Sequence, residues 1–68
     1  MPVVEISFFE RPVEKKRELV KKVTDAVAEV LEVDPEGIYV ILREMRRDQW
    51  AGGGQLRSDR PAPKRKTA

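Results

Sequence analysis

The chain contains no cysteine and no histidine. The first absence excludes disulfides and thiolate metal sites, and the second leaves carboxylates as the only ligands a zinc ion could find. Nucleophilic sets that depend on a cysteine–histidine or serine–histidine–aspartate arrangement are excluded with them. No run of about eighteen apolar residues occurs, and the first fifteen residues carry acids, so the sequence predicts neither a membrane span nor a signal peptide. The cytoplasm is the expected location. Gly52-Gly53-Gly54 lacks the Lys-Ser/Thr that completes a phosphate-binding loop and reads as backbone freedom in a turn. Sixty-eight residues allow one small domain with a marginal core, a size at which oligomerisation is a common remedy.

The net charge of +2 conceals an asymmetry. Residues 1–56 hold nine Lys/Arg against eleven Asp/Glu, whereas residues 57–68 hold Arg57, Arg60, Lys64, Arg65 and Lys66 against Asp59. The sequence therefore divides into a domain over 1–56 and a basic tail over 57–68. The tail has two prolines and no large apolar side chain, so it is expected to be a mobile, solubilising extension. Its charge also permits nonspecific nucleic-acid binding, the less favoured reading.

Periodicity organises the domain. Val4, Ile6 and Phe8 alternate with Glu5 and Ser7, which predicts a strand over Val3–Phe9 with one clean apolar face. From Val13 to Glu32, apolar residues fall at Leu19, Val20, Val23, Ala26, Val27, Val30 and Leu31, the spacing of one helical stripe. Pro12 suits the start of that helix. Asp34-Pro35-Glu36-Gly37 has the preferences of a type I turn. Ile38–Met45 predicts a second strand, with Tyr39, Ile41, Arg43 and Met45 opposite Ile38, Val40 and Leu42. After it, a turn and a short glycine-containing hairpin are expected. The fold class is α+β: a β-α-β unit with parallel strands, one long helix as a right-handed crossover, and a C-terminal hairpin. Its second sheet face, with Val3, Phe9, Tyr39, Ile41 and Met45, has no cover and predicts burial against another subunit.

The chemistry-bearing residues that remain are Pro2, the arginines Arg11, Arg43, Arg46 and Arg47, and the aromatics Phe8, Phe9, Tyr39 and Trp50. Pro2 at a strand's first position costs nothing, because its missing N–H falls before the ladder begins. Removal of Met1 would also make it a free secondary amine. Burial and nearby guanidinium charges lower an amine's proton affinity toward a working general base. Arginines can bind a carboxylate bidentately and stabilise negative charge on a neighbouring oxygen. Arg46 and Arg47 are expected to face solvent.

Pro2-Val3-Val4-Glu5-Ile6, Glu10-Arg11, the helix KRELVKKVTDAVAEVL, the strand VILREM and the ending RRDQWAGGGQL together resemble the 4-oxalocrotonate tautomerase family. The likeness spans about residues 2–56, with at most a one-residue deletion near Pro12. It implies dimers built into a hexamer as a trimer of dimers, active sites between neighbouring subunits, a small enol or keto carboxylate as substrate, and no cofactor or metal. On the matching positions, Pro2 corresponds to the catalytic N-terminal proline, which moves a proton from the 2-hydroxyl of a dienol to carbon. Arg11 matches the arginine that holds the distal carboxylate, if the deletion falls just after it; otherwise it is a solvated loop residue. Trp50 takes the place of the aromatic that lines the pocket, or anchors the hairpin. Phe9 and Arg43 are possible additions to the site.

Tyr39 departs from the pattern. The family's best-known members have a second arginine there, contacting the other carboxylate and the 2-oxygen, whereas a tyrosine donates one hydrogen bond and carries no charge near neutral pH. Arg43 lies four strand residues on, about 13 Å away, and could serve only a neighbouring site. The region around Gly52 has no acid of the kind that activates water in dehalogenating and hydrating relatives, which favours tautomerisation over hydration. Two other functions stay open at this point: an oligomer whose catalytic site has lapsed, and a weak nucleic-acid-binding module that uses the tail.

Overall fold

The alternating segment Val3–Phe9 forms strand β1, and Tyr39–Met45 forms strand β2. The computed structural model describes residues 1–61. The two strands pair in parallel through all seven positions, from Val3 opposite Tyr39 to Phe9 opposite Met45. Between them runs helix α1, Val13–Leu31. A parallel pair cannot be closed by a tight turn, so the helix serves as the crossover and packs on one sheet face. The expected β-α-β subunit with a C-terminal hairpin is the one observed.

Pro12 stands just outside the helix rather than within its first turn. Its carbonyl accepts from the N–H groups of Lys15 at 3.0 Å and Lys16 at 3.2 Å. At the other end Glu32 adopts a left-handed conformation, φ 56° and ψ 51°, and the Val33 N–H donates to the Ala28 carbonyl at 3.2 Å. This is a Schellman-type stop made without the usual glycine. The inward stripe consists of Lys16, Leu19, Val20, Val23, Thr24, Val27 and Ala28, all half-buried. Ala26, Val30 and Leu31, expected on that stripe, lie outside it and are exposed. Val30 and Leu31, in the last turn of the helix, find no cover among the described residues.

Asp34–Gly37 turns as its sequence predicts. The Gly37 N–H donates to the Asp34 carbonyl at 3.0 Å, and the Asp34 carboxylate accepts from the Glu36 N–H at 2.9 Å. Ile38 follows, outside the strand by one residue, and is the most buried side chain among the described residues, at 8% exposure. After β2, a 3-10 turn over Arg47–Gln49 leads into β3, Ala51–Gly52, which pairs antiparallel with β4, Gln55–Leu56. Gly53 and Gly54 join them with φ of 61° and 82°. Positive φ at both central residues is what a two-residue hairpin loop needs to match strand twist.

Defined structure continues past Leu56, where the sequence places the start of the basic tail. Arg57–Asp59 form a 3-10 turn, the Arg57 N–H donates to the Trp50 carbonyl at 2.7 Å, and Arg60 donates to the Gln55 side chain at 2.7 Å and the Gly52 carbonyl at 3.1 Å. The remainder of the proposed tail, 62–68, lies outside the described residues. Among the described residues no helix is long and apolar enough to cross a membrane.

The left-handed Glu32 generates the first prediction. A residue with a Cβ in that conformation costs roughly 1–2 kcal/mol, and a carboxylate at a helix C-terminus adds to the cost. Glu32→Gly removes both, so a denaturant midpoint measured at fixed protein concentration should correspond to about 1 kcal/mol of added stability. A lowered midpoint would show that Glu32 makes a compensating contact.

Candidate active site

Parallel pairing puts the first residues of both strands at one end of the sheet and the last residues of both at the other. Pro2 and Tyr39 share the first end, where the Tyr39 N–H donates to the Pro2 carbonyl at 3.1 Å. Pro2 is half-buried, while the Met1 preceding it is 84% exposed. The Tyr39 side chain stands on the open sheet face, 57% exposed. Arg11, Phe9 and Trp50 gather at the opposite end. Seven residue steps of strand separate Pro2 from Phe9, about 23 Å. The candidate residues thus form two groups, too distant within one chain to touch the same small molecule.

The Arg11 end is built from three segments. Phe9 closes β1, and its ring meets Trp50 edge-on with centroids 5.6 Å apart. Arg47 lies over the Phe9 ring, its guanidinium carbon 4.8 Å from the centroid. This corrects the expectation that Arg47 faces solvent: it is half-buried, and its Nη1 is buried without a hydrogen-bond partner among the described residues. A cation held against an aromatic face is stabilised by the ring quadrupole, which a reading by charge alone does not anticipate. Arg46 does face outward, paired with Asp48 at 3.0 Å. Asp48 keeps its guanidinium more firmly protonated than usual.

Arg11 is half-buried. Its Nη1 donates to the Glu10 carbonyl at 2.7 Å and the Phe9 carbonyl at 3.4 Å. Its backbone N–H donates to Glu44 Oε2 at 3.2 Å, and Lys16 Nζ donates to Oε1 of the same carboxylate at 3.0 Å. Glu44 therefore clasps the loop, the helix and β2 together. The Lys16 hydrogen bond, followed by the Arg11 N–H, holds its carboxyl below the usual range. Two open hollows flank Arg11. One, of about 480 Å³, lies against Ser7, Phe9, Trp50 and Arg57; the other, of about 510 Å³, faces Met45, Arg46, Arg47 and Ser58.

Arg43 is engaged elsewhere. On the open sheet face its Nη2 meets Glu5 Oε1 at 2.6 Å. Both side chains are more than half exposed, so this pair is worth no more than about 1 kcal/mol and yields to a better partner. The face predicted to lack a cover is smaller than expected. Phe9 and Met45 are half-buried within the chain, leaving Val3, Tyr39 and Ile41 exposed around the Glu5–Arg43 pair.

The family described as tautomerase enzyme matches residues 2–60. The chain belongs to the tautomerase family. A probable tautomerase of Halalkalibacterium halodurans is 48% identical over 60 residues, 87% of this chain and 98% of that one. The 2-hydroxymuconate tautomerase of Bacillus subtilis is 45% identical over 60 residues, 87% and 97% of the two chains. The crystal structure of a 4-oxalocrotonate tautomerase homologue superposes with a TM-score of 0.82 at 48% identity, covering 91% of this chain and all of the other. The protein is accordingly an enzyme of the isomerase class, a tautomerase. Its fold matches that of the 4-oxalocrotonate tautomerase homologues.

Glu44 makes this tautomerase's stability depend on acidity in a defined direction. A carboxyl whose folded pKa is depressed contributes stability above its unfolded pKa and loses it as pH falls through the folded value. Glu44→Gln retains an acceptor for the Arg11 N–H but no charge. Its loss of melting temperature on acidification should be shallower than the wild type's, with the residual slope due to other carboxylates such as Glu18, held low by Lys22. Identical slopes would remove Glu44 from this role.

Proposed function

We propose that the protein is a cofactor-independent tautomerase that converts a 2-hydroxydienoate or related enol acid to its conjugated keto form, at sites shared between copies of the chain. The observation that carries this reading is the separation of Pro2 and Tyr39 from Arg11, Phe9 and Trp50 by the length of a strand. A second copy is the simplest way to bring the two ends together. The exposed Val3, Tyr39 and Ile41 supply an apolar surface for such an association, and the hexamer implied by the family resemblance is one closed assembly that would use it.

In the proposed reaction Met1 has been removed and Pro2 presents a neutral secondary amine. Its lone pair takes the proton of the substrate's 2-hydroxyl. The O–H electrons become the C=O π bond, the conjugated double bonds shift, and the ammonium proton returns to a carbon of the chain, regenerating the amine. Tyr39 beside Pro2 donates a hydrogen bond toward the 2-oxygen. Arg11 from another copy holds the carboxylate at the substrate's remote end and draws electron density toward it. Trp50 and Phe9 keep that end poor in water, which strengthens the charge interaction.

Pro2 is a base only as a true N-terminus, because an amide nitrogen has no basic lone pair. The intact mass of active enzyme should lack Met1. Pro2→Ala and Arg11→Ala should each lose most turnover of 2-hydroxymuconate. Unfolding the two variants together and refolding them as a mixture should recover about a quarter of wild-type activity, since random pairing places an intact Pro2 beside an intact Arg11 at that frequency. Full activity in Pro2→Ala would dispose of the proline base. An inactive mixture would dispose of the shared site.

A further inference from the structure

The hollow of about 480 Å³ beside Arg11 is lined by three arginines, Arg11, Arg57 and Arg60, and by no acidic residue. Like charges so close repel one another unless an anion lies among them. The three groups differ in what they are free to do. Arg60 spends Nε on the Gln55 side chain and Nη2 on the Gly52 carbonyl. Arg11 spends Nη1 on two backbone carbonyls, and among the described residues its Nε and Nη2 have no acceptor.

Arg57 is half-buried, and among the described residues its side chain has no hydrogen bond and no ion pair with Asp or Glu. Its backbone is nevertheless fixed, by the 2.7 Å hydrogen bond from its N–H to the Trp50 carbonyl. The same bond ties Arg57 to the aromatic that lines the hollow. An arginine held in place by its main chain, with its donors unspent and the Phe9–Trp50 pair alongside, is arranged to receive an anion.

We propose that Arg57 is a specificity-determining residue that joins Arg11 in gripping the carboxylate remote from the 2-hydroxyl, so that the site selects dicarboxylates over monocarboxylates. This rests on the tautomerase reading above and deepens it. A carboxylate offers about four lone-pair sites, enough for two guanidinium groups at once. Tyr39 leaves the 2-oxygen end without a positive side chain; Arg57 adds one at the opposite end. Affinity for a dianion is retained, and its source moves to the remote carboxylate.

The test compares molecules that differ only at that carboxylate. For turnover, 2-hydroxymuconate is set against 2-hydroxypenta-2,4-dienoate; for equilibrium binding, muconate is set against sorbate. Arg57→Ala should raise KM for 2-hydroxymuconate about tenfold, the value of one charge-assisted contact, with kcat changed much less. The monocarboxylate should stay within about twofold, and the wild-type preference for muconate over sorbate should collapse. Arg57→Lys should recover part of the loss, as a point charge without the fork. Equal losses for mono- and dicarboxylates, or no loss for either, would overturn the proposal. A wild-type enzyme inactive on both enols would instead overturn the tautomerase reaction, and the muconate–sorbate comparison would still decide Arg57.

Discussion

The parallel pairing of Val3–Phe9 with Tyr39–Met45 governs everything else in this molecule. Parallel strands require a long crossover, and α1 supplies it. That crossover covers one sheet face and leaves the other to find a cover outside the chain. Parallelism also sorts the candidate site residues. Whatever precedes β1 lies beside whatever precedes β2, so Pro2 meets Tyr39. Whatever follows β1 lies beside whatever follows β2, so Arg11 meets the hairpin that carries Trp50 and Arg57. An antiparallel pair would have mixed these sets and could have built a complete site in one subunit. Here the topology keeps the two sets a strand's length apart.

The end that holds Arg11 is shaped by polar contacts as much as by packing. Glu44 occupies an inward position of β2, opposite Phe8, where an apolar residue would continue the pattern. Its carboxylate reaches Lys16 on the helix and the Arg11 N–H. The loop bearing the arginine is thereby fixed to both secondary-structure elements that flank it. On the other side of the same residue, Phe9 is enclosed by Trp50 and Arg47. One face of Arg11's neighbourhood is a charged clasp and the other an aromatic wall, so the guanidinium is presented from a supported loop.

Much of the fold was legible because its signals are local and periodic. The alternation in Val3–Phe9, the three-and-four spacing of α1, the Asp34–Gly37 turn and the glycine pair of the hairpin each specify a conformation from a few adjacent residues. The limits of the helix stripe were less legible. Ala26, Val30 and Leu31 have helical spacing, yet whether they are buried depends on what packs against the helix, which no local period specifies. Charge and composition, the cues available for Arg47 and Arg57, point to solvent and to a tail. Their placement depends on an aromatic face and on one backbone hydrogen bond across the hairpin, neither of which has a sequence period. The division of the candidate site follows from the predicted topology itself, since parallel strands of seven residues already put Pro2 and Phe9 a strand apart.

The distribution of charge along the sheet bears on the reaction proposed for it. One end offers a half-buried proline and a neutral tyrosine, the other a set of guanidinium groups. As the proton leaves the 2-hydroxyl, negative charge develops on that oxygen and spreads along the conjugated carbons toward the remote carboxylate. In that proposed reaction a hydrogen bond from Tyr39 would steady the oxygen without neutralising it, while cations at the far end would favour the resonance forms that carry charge away from it. Charge on carbon is what protonation at carbon requires. A tyrosine at the oxygen end with arginines at the remote end would therefore do more than alter affinity: it would tilt the intermediate's charge toward the atoms that must accept the returning proton.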